Sequence, residues 1–466
     1  VSWWFGSVTS EAHETGEIGR GMVAVPTASA VRRGIFDRSG WIARFSNLRM
    51  SITGASTVHS CPMTDLPPHL DRPHIRQFHP IGVENDQKKV FVALRDPANL
   101  RGDGQCPVVP PELLPLLGAF RGEKSLQEIG ELTGAPADFL LQLVKALDES
   151  GLLWGPNCDR LEREAMSRVA TDGGFRTAAA DAAGTTAEEA KKTIGEWIAA
   201  AEDPELDGEL LGIVTPHMDY ARSKSTYAAA YKAIGSSKTF SRVVILGTNH
   251  FGSGDGIVMS RHGFLSPFGA FAPDTRLLHA LEAKLGDRLF KDEVDLLGEH
   301  SISIQLPWIH EVIGRVPIVA ALVPSPLVPM IADDGARVSF DEFVPVLKEL
   351  LSDADGETLV VASADLSHVG PQFGDQTPVG TEIRRQVEAY DRSLLSTYLE
   401  GNMEAFLGKV GHDQNHQRWC SIGNMTAAKL ATGGLPELVE YSQSPADLDP
   451  QGAALVTCAA MALLKV

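Results

Sequence analysis

The chain has 466 residues, 43% hydrophobic and 22% charged, a composition ordinary for a globular protein and long enough for two or three domains. A formal net charge of -19 argues against general affinity for nucleic acid or anionic lipid. The five cysteines are scattered and form no CxxC pair, which excludes a disulfide framework and points to a reducing, cytoplasmic setting; no apolar run reaches the roughly 18–20 residues of a membrane span.

Residues 1–79 are expected to be an extension and linker. The first 62 have no sustained period of 2 or 3.6, and between Ile18 and Pro62 they carry six arginines against one acid, Asp37. No apolar or amphipathic stretch supports a targeting peptide, and a true start near Met63 is the simplest expectation.

Residues 80–156 read as a small winged-helix-like domain: a strand in "KKVFVALRDP" and three short helices. Ser125 and Glu128 form a capping box closed by Gly134, and Leu140, Leu143, Val144 and Leu147 make one apolar helix face. That helix carries Asp138, Asp148 and Glu149 against one Lys145, the wrong sign for facing phosphate, so docking rather than DNA binding is expected. The unit resembles small peptide-binding domains of the PqqD type. Residues 157–206 are expected to be an Ala/Gly-rich linker, to about 184, and then a helix capped by Thr185 and Glu188.

From residue 207 to 466, apolar runs alternate with helical stretches. "LLGIVTPH", "RVVILGTNH", "VPIVAALVPS" and "TLVVASADLSH" are apolar on both faces, which predicts an α/β domain with a mainly parallel central sheet flanked by helices. Three runs end in a histidine: His217, His250 and His368. Carboxyl ends of parallel strands form the ligand crevice of such sheets, so the three imidazoles are expected to meet there. One strand-end histidine is as readily a structural hydrogen-bonding residue; three point to a shared polar site.

Imidazole is the commonest ligand of borderline transition metals, yet HExxH and CxxC are both absent, so the fold itself must assemble the ligands. "GEHSISIQLPW" adds Glu299 and His300 at a helix entrance, and "NHQRWCSIGN" adds His416 and Cys420. Cys420 reads either as a soft ligand or as an ordinary buried residue, and Glu299 as a site carboxylate or a solvated cap. Asp365 lies three residues before His368; the pair suits general acid/base work, with the carboxylate fixing the imidazole tautomer.

The blocks "TPHMDY", "ILGTNHFG", "GEHSISIQLPW", "VVASADLSHVG", "RWCSIGN" and "QSPADLD" resemble, in order and spacing, the Memo family, which includes the bacterial AmmeMemoRadiSam system protein B. The resemblance covers about residues 160–466. It implies a fold similar to class III extradiol dioxygenases, a non-haem metal (iron as the expectation) on His217, His250 and Cys420, and catalytic roles for Asp365 and His368. It also implies the company of a radical SAM protein and an AMMECR1-type protein, with a small-molecule or peptide ligand. The chain departs from the family pattern at Met218 and Asp219, at Phe251 where a second histidine is usual, at Ser303, and in "CSIG".

Overall fold

A computed structural model describes residues 66–466 except 86, 236–238, 253, 331–334, 447–451 and 466. The expectations for the first 65 residues lie outside the described residues. The chain divides into two compact units, one ending at Ser167 and the other beginning at Arg168.

The first unit is built on an antiparallel sheet of β1 (His79–Glu84), β2 (Val90–Arg95) and β3 (Val108–Val109). Helices Leu126–Thr133 and Ala137–Glu149 follow. Ser125 and Glu128 bond reciprocally as a capping box, and Gly134 ends the helix at φ 71°, a left-handed conformation that glycine adopts without a Cβ penalty. Leu140, Leu143, Val144 and Leu147 are buried, as the 3.6 period requires. Ordered structure begins before residue 80: Leu70 and Phe78 pack into this core with Leu113, Leu117 and Phe120, so the last part of the expected 1–79 extension belongs to the unit.

The expected linker is also corrected. Pro156–Asp172 is a helix, not a linker, because Cys158, Leu161, Ala165 and Val169 fall on one face and are buried. The next capping box is Thr186 with Glu189, one residue later than the sequence reading; Thr185 still donates its hydroxyl to Glu189 at 3.1 Å.

In the second unit the strands are β4 (Glu209–Thr215), β5 (Arg242–Gly247), β6 (Val258–Met259), β7 (Phe264–Ser266), β8 (Gly269–Phe271), β9 (Ile318–Leu322), β10 (Thr358–Ser363), β11 (Asp365–Val369), β12 (Leu435–Pro445) and β13 (Leu455–Lys465). The main sheet runs β11-β13-β4-β10-β5-β9-β6, with β12 on the other side of β13. Its centre, β4-β10-β5-β9, is parallel, and β5, β9 and most of β10 are fully buried because helices cover both faces. The margins are antiparallel. β11 leaves β10 after a single residue and pairs with β13, while β12 and β13 pair antiparallel over ten positions. The apolar run Leu455–Lys465 is thus an interior strand, β13, flanked by β4 and β11 on one side and β12 on the other. Among the described residues no helix is long and apolar enough to cross a membrane.

This topology sets the carboxyl ends of β4, β5 and β10 side by side. Gly247, the last residue of β5, matters to that arrangement: a Cβ there would lie 2.5 Å from Ser301 Oγ and 2.8 Å from Ile302 Cδ1. Only a hydrogen lets the segment that carries His300 approach the end of β5 so closely.

Candidate metal centre

His217 lies two residues beyond β4, His250 three beyond β5, and His300 opens the short helix His300–Ser303. One ring nitrogen from each lies within 4.8 Å of the others. The His217 and His250 rings are 4.8 Å apart and nearly perpendicular, and His250 stacks on His300 at 4.9 Å.

The rings are held from behind. His217 Nδ1 donates to the Ser363 carbonyl at 2.9 Å, which turns Nε2 toward Cys420. His250 Nδ1 meets both oxygens of Glu299 at 3.1 and 3.2 Å, and the His250 backbone N–H donates to the same carboxylate at 2.8 Å. Glu299 also accepts from Ser301 N–H at 2.8 Å and lies 3.4 Å from His300 Nδ1. It is therefore a helix cap and a site carboxylate at once, and it is buried, not solvated. A carboxylate behind a histidine is the usual way of orienting a metal ligand.

Cys420 completes the cluster. Its Sγ is 3.3 Å from His217 Nε2. Burial opposes ionisation of this thiol, but the His217 and His250 imidazoles outweigh it and pull Cys420 down to about 6. Burial likewise opposes charge on His250, yet Glu299 and Cys420 hold it well above the usual histidine range. Burial would raise Glu299, but His250, by charge and hydrogen bond, and His300 hold it well below the carboxylate range.

Asp365 and His368 sit differently from the expectation. The Asp365 carboxylate accepts the His217 backbone N–H at 3.1 Å and lies 3.6 Å from His217 Nε2; burial pushes it up, against the opposing pull of His368. The His368 tautomer is set not by Asp365 but by two main-chain carbonyls, Leu366 at 2.9 Å and Arg418 at 3.1 Å from Nδ1. The physical reason is a register shift in β11 between the two residues. β11 is also antiparallel and marginal, so His368 is not at a position equivalent to His217 and His250. Its ring rests against Phe373 at 5.1 Å, and burial lowers its pKa. His416 lies against Tyr390 and is largely exposed.

The third imidazole of the cluster is thus His300, which the sequence marked as a candidate without giving it a ligand role. Its signal was the Glu-His pair at a helix start. Asn424, which donates to the Ser363 carbonyl and to Thr248 Oγ1 at 3.2 Å, went unmarked; an Asn in a small-residue helix carries no distinguishing pattern.

Fold and site together define an α/β protein with an imidazole and thiol cluster at the carboxyl ends of parallel strands. Residues 178–461 match the family model described as Memo-like protein, and the chain belongs to that family. It is 30% identical over 278 residues to a MEMO1 family protein of Thermus thermophilus, covering 59% of this chain and 79% of that protein. A Methanopyrus kandleri MEMO1 family protein is 33% identical over 55% of this chain and 87% of its own length. One from Aquifex aeolicus is 25% identical over 70% of this chain and 83% of its own.

Proposed function

We propose that this protein is a metal-binding redox protein, with non-haem iron as the metal and a pocket similar to that of class III extradiol dioxygenases. The observation that carries this reading is the convergence of His217, His250 and His300 with Cys420 beside them. The donor chemistry fits: imidazoles suit iron, copper and zinc, and a thiol already biased toward thiolate is a ready soft ligand. His217 and His250 hold the metal, with Cys420 or His300 as the third donor. When bound, iron would supply one-electron redox chemistry and a Lewis acid.

The chain's own residues do the rest. Glu299 aims His250, and the Ser363 carbonyl aims His217. His368 keeps its proton on Nδ1, so Nε2 is the nitrogen that takes a proton from a bound group, and Asp365 offsets the charge that results. The test is element analysis of protein purified anaerobically without a histidine tag, set beside the His217→Ala/His250→Ala variant. Wild type should hold about one metal per chain and the variant a small fraction of that; equal content would refute the reading.

A second reading follows from the compact unit that precedes the family-matching segment. Its three-stranded sheet and helices support a winged-helix-like, PqqD-like docking role. The protein would then be a non-catalytic, metal- or peptide-binding partner of a radical SAM enzyme and an AMMECR1-type protein. Pull-down of such partners with and without residues 66–167 tests it: equal recovery from both would refute the docking role.

A further inference from the structure

Behind the cluster sits a buried carboxyl group that the proposed chemistry does not use. Asp391, in the helix Thr381–Leu399, is fully buried. Its partners are four neutral donors. Ser367 Oγ and Trp419 Nε1 reach Oδ1 at 2.5 and 2.8 Å, while Tyr441 OH and Thr457 Oγ1 reach Oδ2 at 2.8 and 2.6 Å. They come from β11, the loop before the helix Ile422–Thr432, β12 and β13.

Two of these donors adjoin site residues. Ser367 immediately precedes His368, and Trp419 immediately precedes Cys420. The two segments are further joined to each other: His368 N–H donates to Gln417 O at 2.8 Å, Arg418 Nη1 donates to His368 O at 2.9 Å, and Trp419 Nε1 reaches Ser367 Oγ at 3.0 Å. A fold seeking only stability would fill this space with apolar groups, because a buried carboxylate is costly to desolvate and an apolar replacement is often neutral or better. A fan of hydrogen bonds supplies what apolar packing does not, directional placement of the chain.

We propose that Asp391 is a positioning residue for the metal centre, fixing the peptides that carry Cys420 and His368 through Trp419 and Ser367. The inference rests on the metal-site reading for its consequence, and on the hydrogen bonds for its cause. Supporting residues of this kind alter metal affinity about 10–100-fold when removed.

The test uses the full chain with Co(II) alone as probe. Asp391→Asn should lower Co(II) affinity about 10–100-fold, weaken the thiolate-to-cobalt absorption band, and change the rate at which iodoacetamide labels Cys420 in the metal-free protein. Trp419→Phe, which removes the indole donor on the site side together with part of a buried ring, should act in the same direction and carries the test if Asp391→Asn does not fold. Tyr441→Phe removes a donor to the same carboxylate from β12, away from the site side; it should lower the unfolding midpoint and move Co(II) affinity, band and Cys420 rate less than Trp419→Phe does. The proposal is overturned if Trp419→Phe leaves all three readouts unchanged, or if Tyr441→Phe moves them equally. Wild-type protein that takes up no Co(II) would refute the metal reading instead, and the labelling rates of the metal-free variants would still decide the role of Asp391.

Discussion

Glu299 holds His250 at two points, through the backbone N–H at 2.8 Å and through ring Nδ1 at 3.1 Å, although the two residues are 49 positions apart. Backbone and ring are gripped together, so the imidazole has one tautomer and one heading. Replacing Glu299 with Gln keeps the shape but removes the charge and turns one acceptor into a donor. Metal affinity should fall about 10–100-fold, as read by competitive titration with a chelator; unchanged affinity would show that His250 needs no carboxylate behind it.

His300 and His368 are set apart by geometry, and their alanine variants should differ. His300→Ala removes one of the three clustered nitrogens and should reduce bound metal. His368→Ala should retain it, since its ring is absent from that cluster. Metal-to-protein ratios for the two variants, measured side by side, decide the matter, and a reversed order would put His368 in the coordination sphere.

Cys420 should be the reactive thiol of the metal-free protein. Its pKa is lowered, so the thiolate persists at neutral pH and is lost as pH falls through about 6. Burial pushes Cys158 and Cys458 up to about 12, and Cys106 is also raised by burial. Iodoacetamide labelling followed by peptide mass spectrometry should show Cys420 modified first of these four, with a rate that levels off above neutral pH and drops below about 6. Added metal should protect it. Labelling that climbs steadily to pH 9 would contradict the imidazole pairing.

Gly247→Ala should damage both fold and site. The new methyl would stand 2.5 Å from Ser301 Oγ, so the segment bearing His300 has to retreat. Overpacking of this kind costs typically about 1–3 kcal/mol. Denaturant unfolding should show that loss, and metal affinity should fall with it; a variant that is destabilised but binds metal normally would separate the close approach from the site.

Much of the fold was legible. The burial of Leu140, Leu143, Val144 and Leu147, the Ser125–Glu128 cap and the doubly buried runs of β5 and β9 all follow from period and composition. The linker misreading has a local cause. Alanine and glycine crowd residues 173–184, and that composition was carried back over residues 157–172, which hold two alanines, no glycine and the buried stripe Cys158, Leu161, Ala165 and Val169. β12 was missed for a related reason: its residues are mostly half-buried, and a bulge between Leu438 and Glu440 breaks the alternation.

Periodicity and the family blocks marked most strands and helices of the family-matching segment and grouped His217, His250 and Cys420, which lie close together. Tertiary structure alone decided that His300 joins them, that main-chain carbonyls hold His368, and that Asp391 ties the two loops together. The physical reason is that local pattern records which side of a segment avoids water. Which residues meet depends on strand order and register, and here these bring Cys420 to His217 across 203 positions.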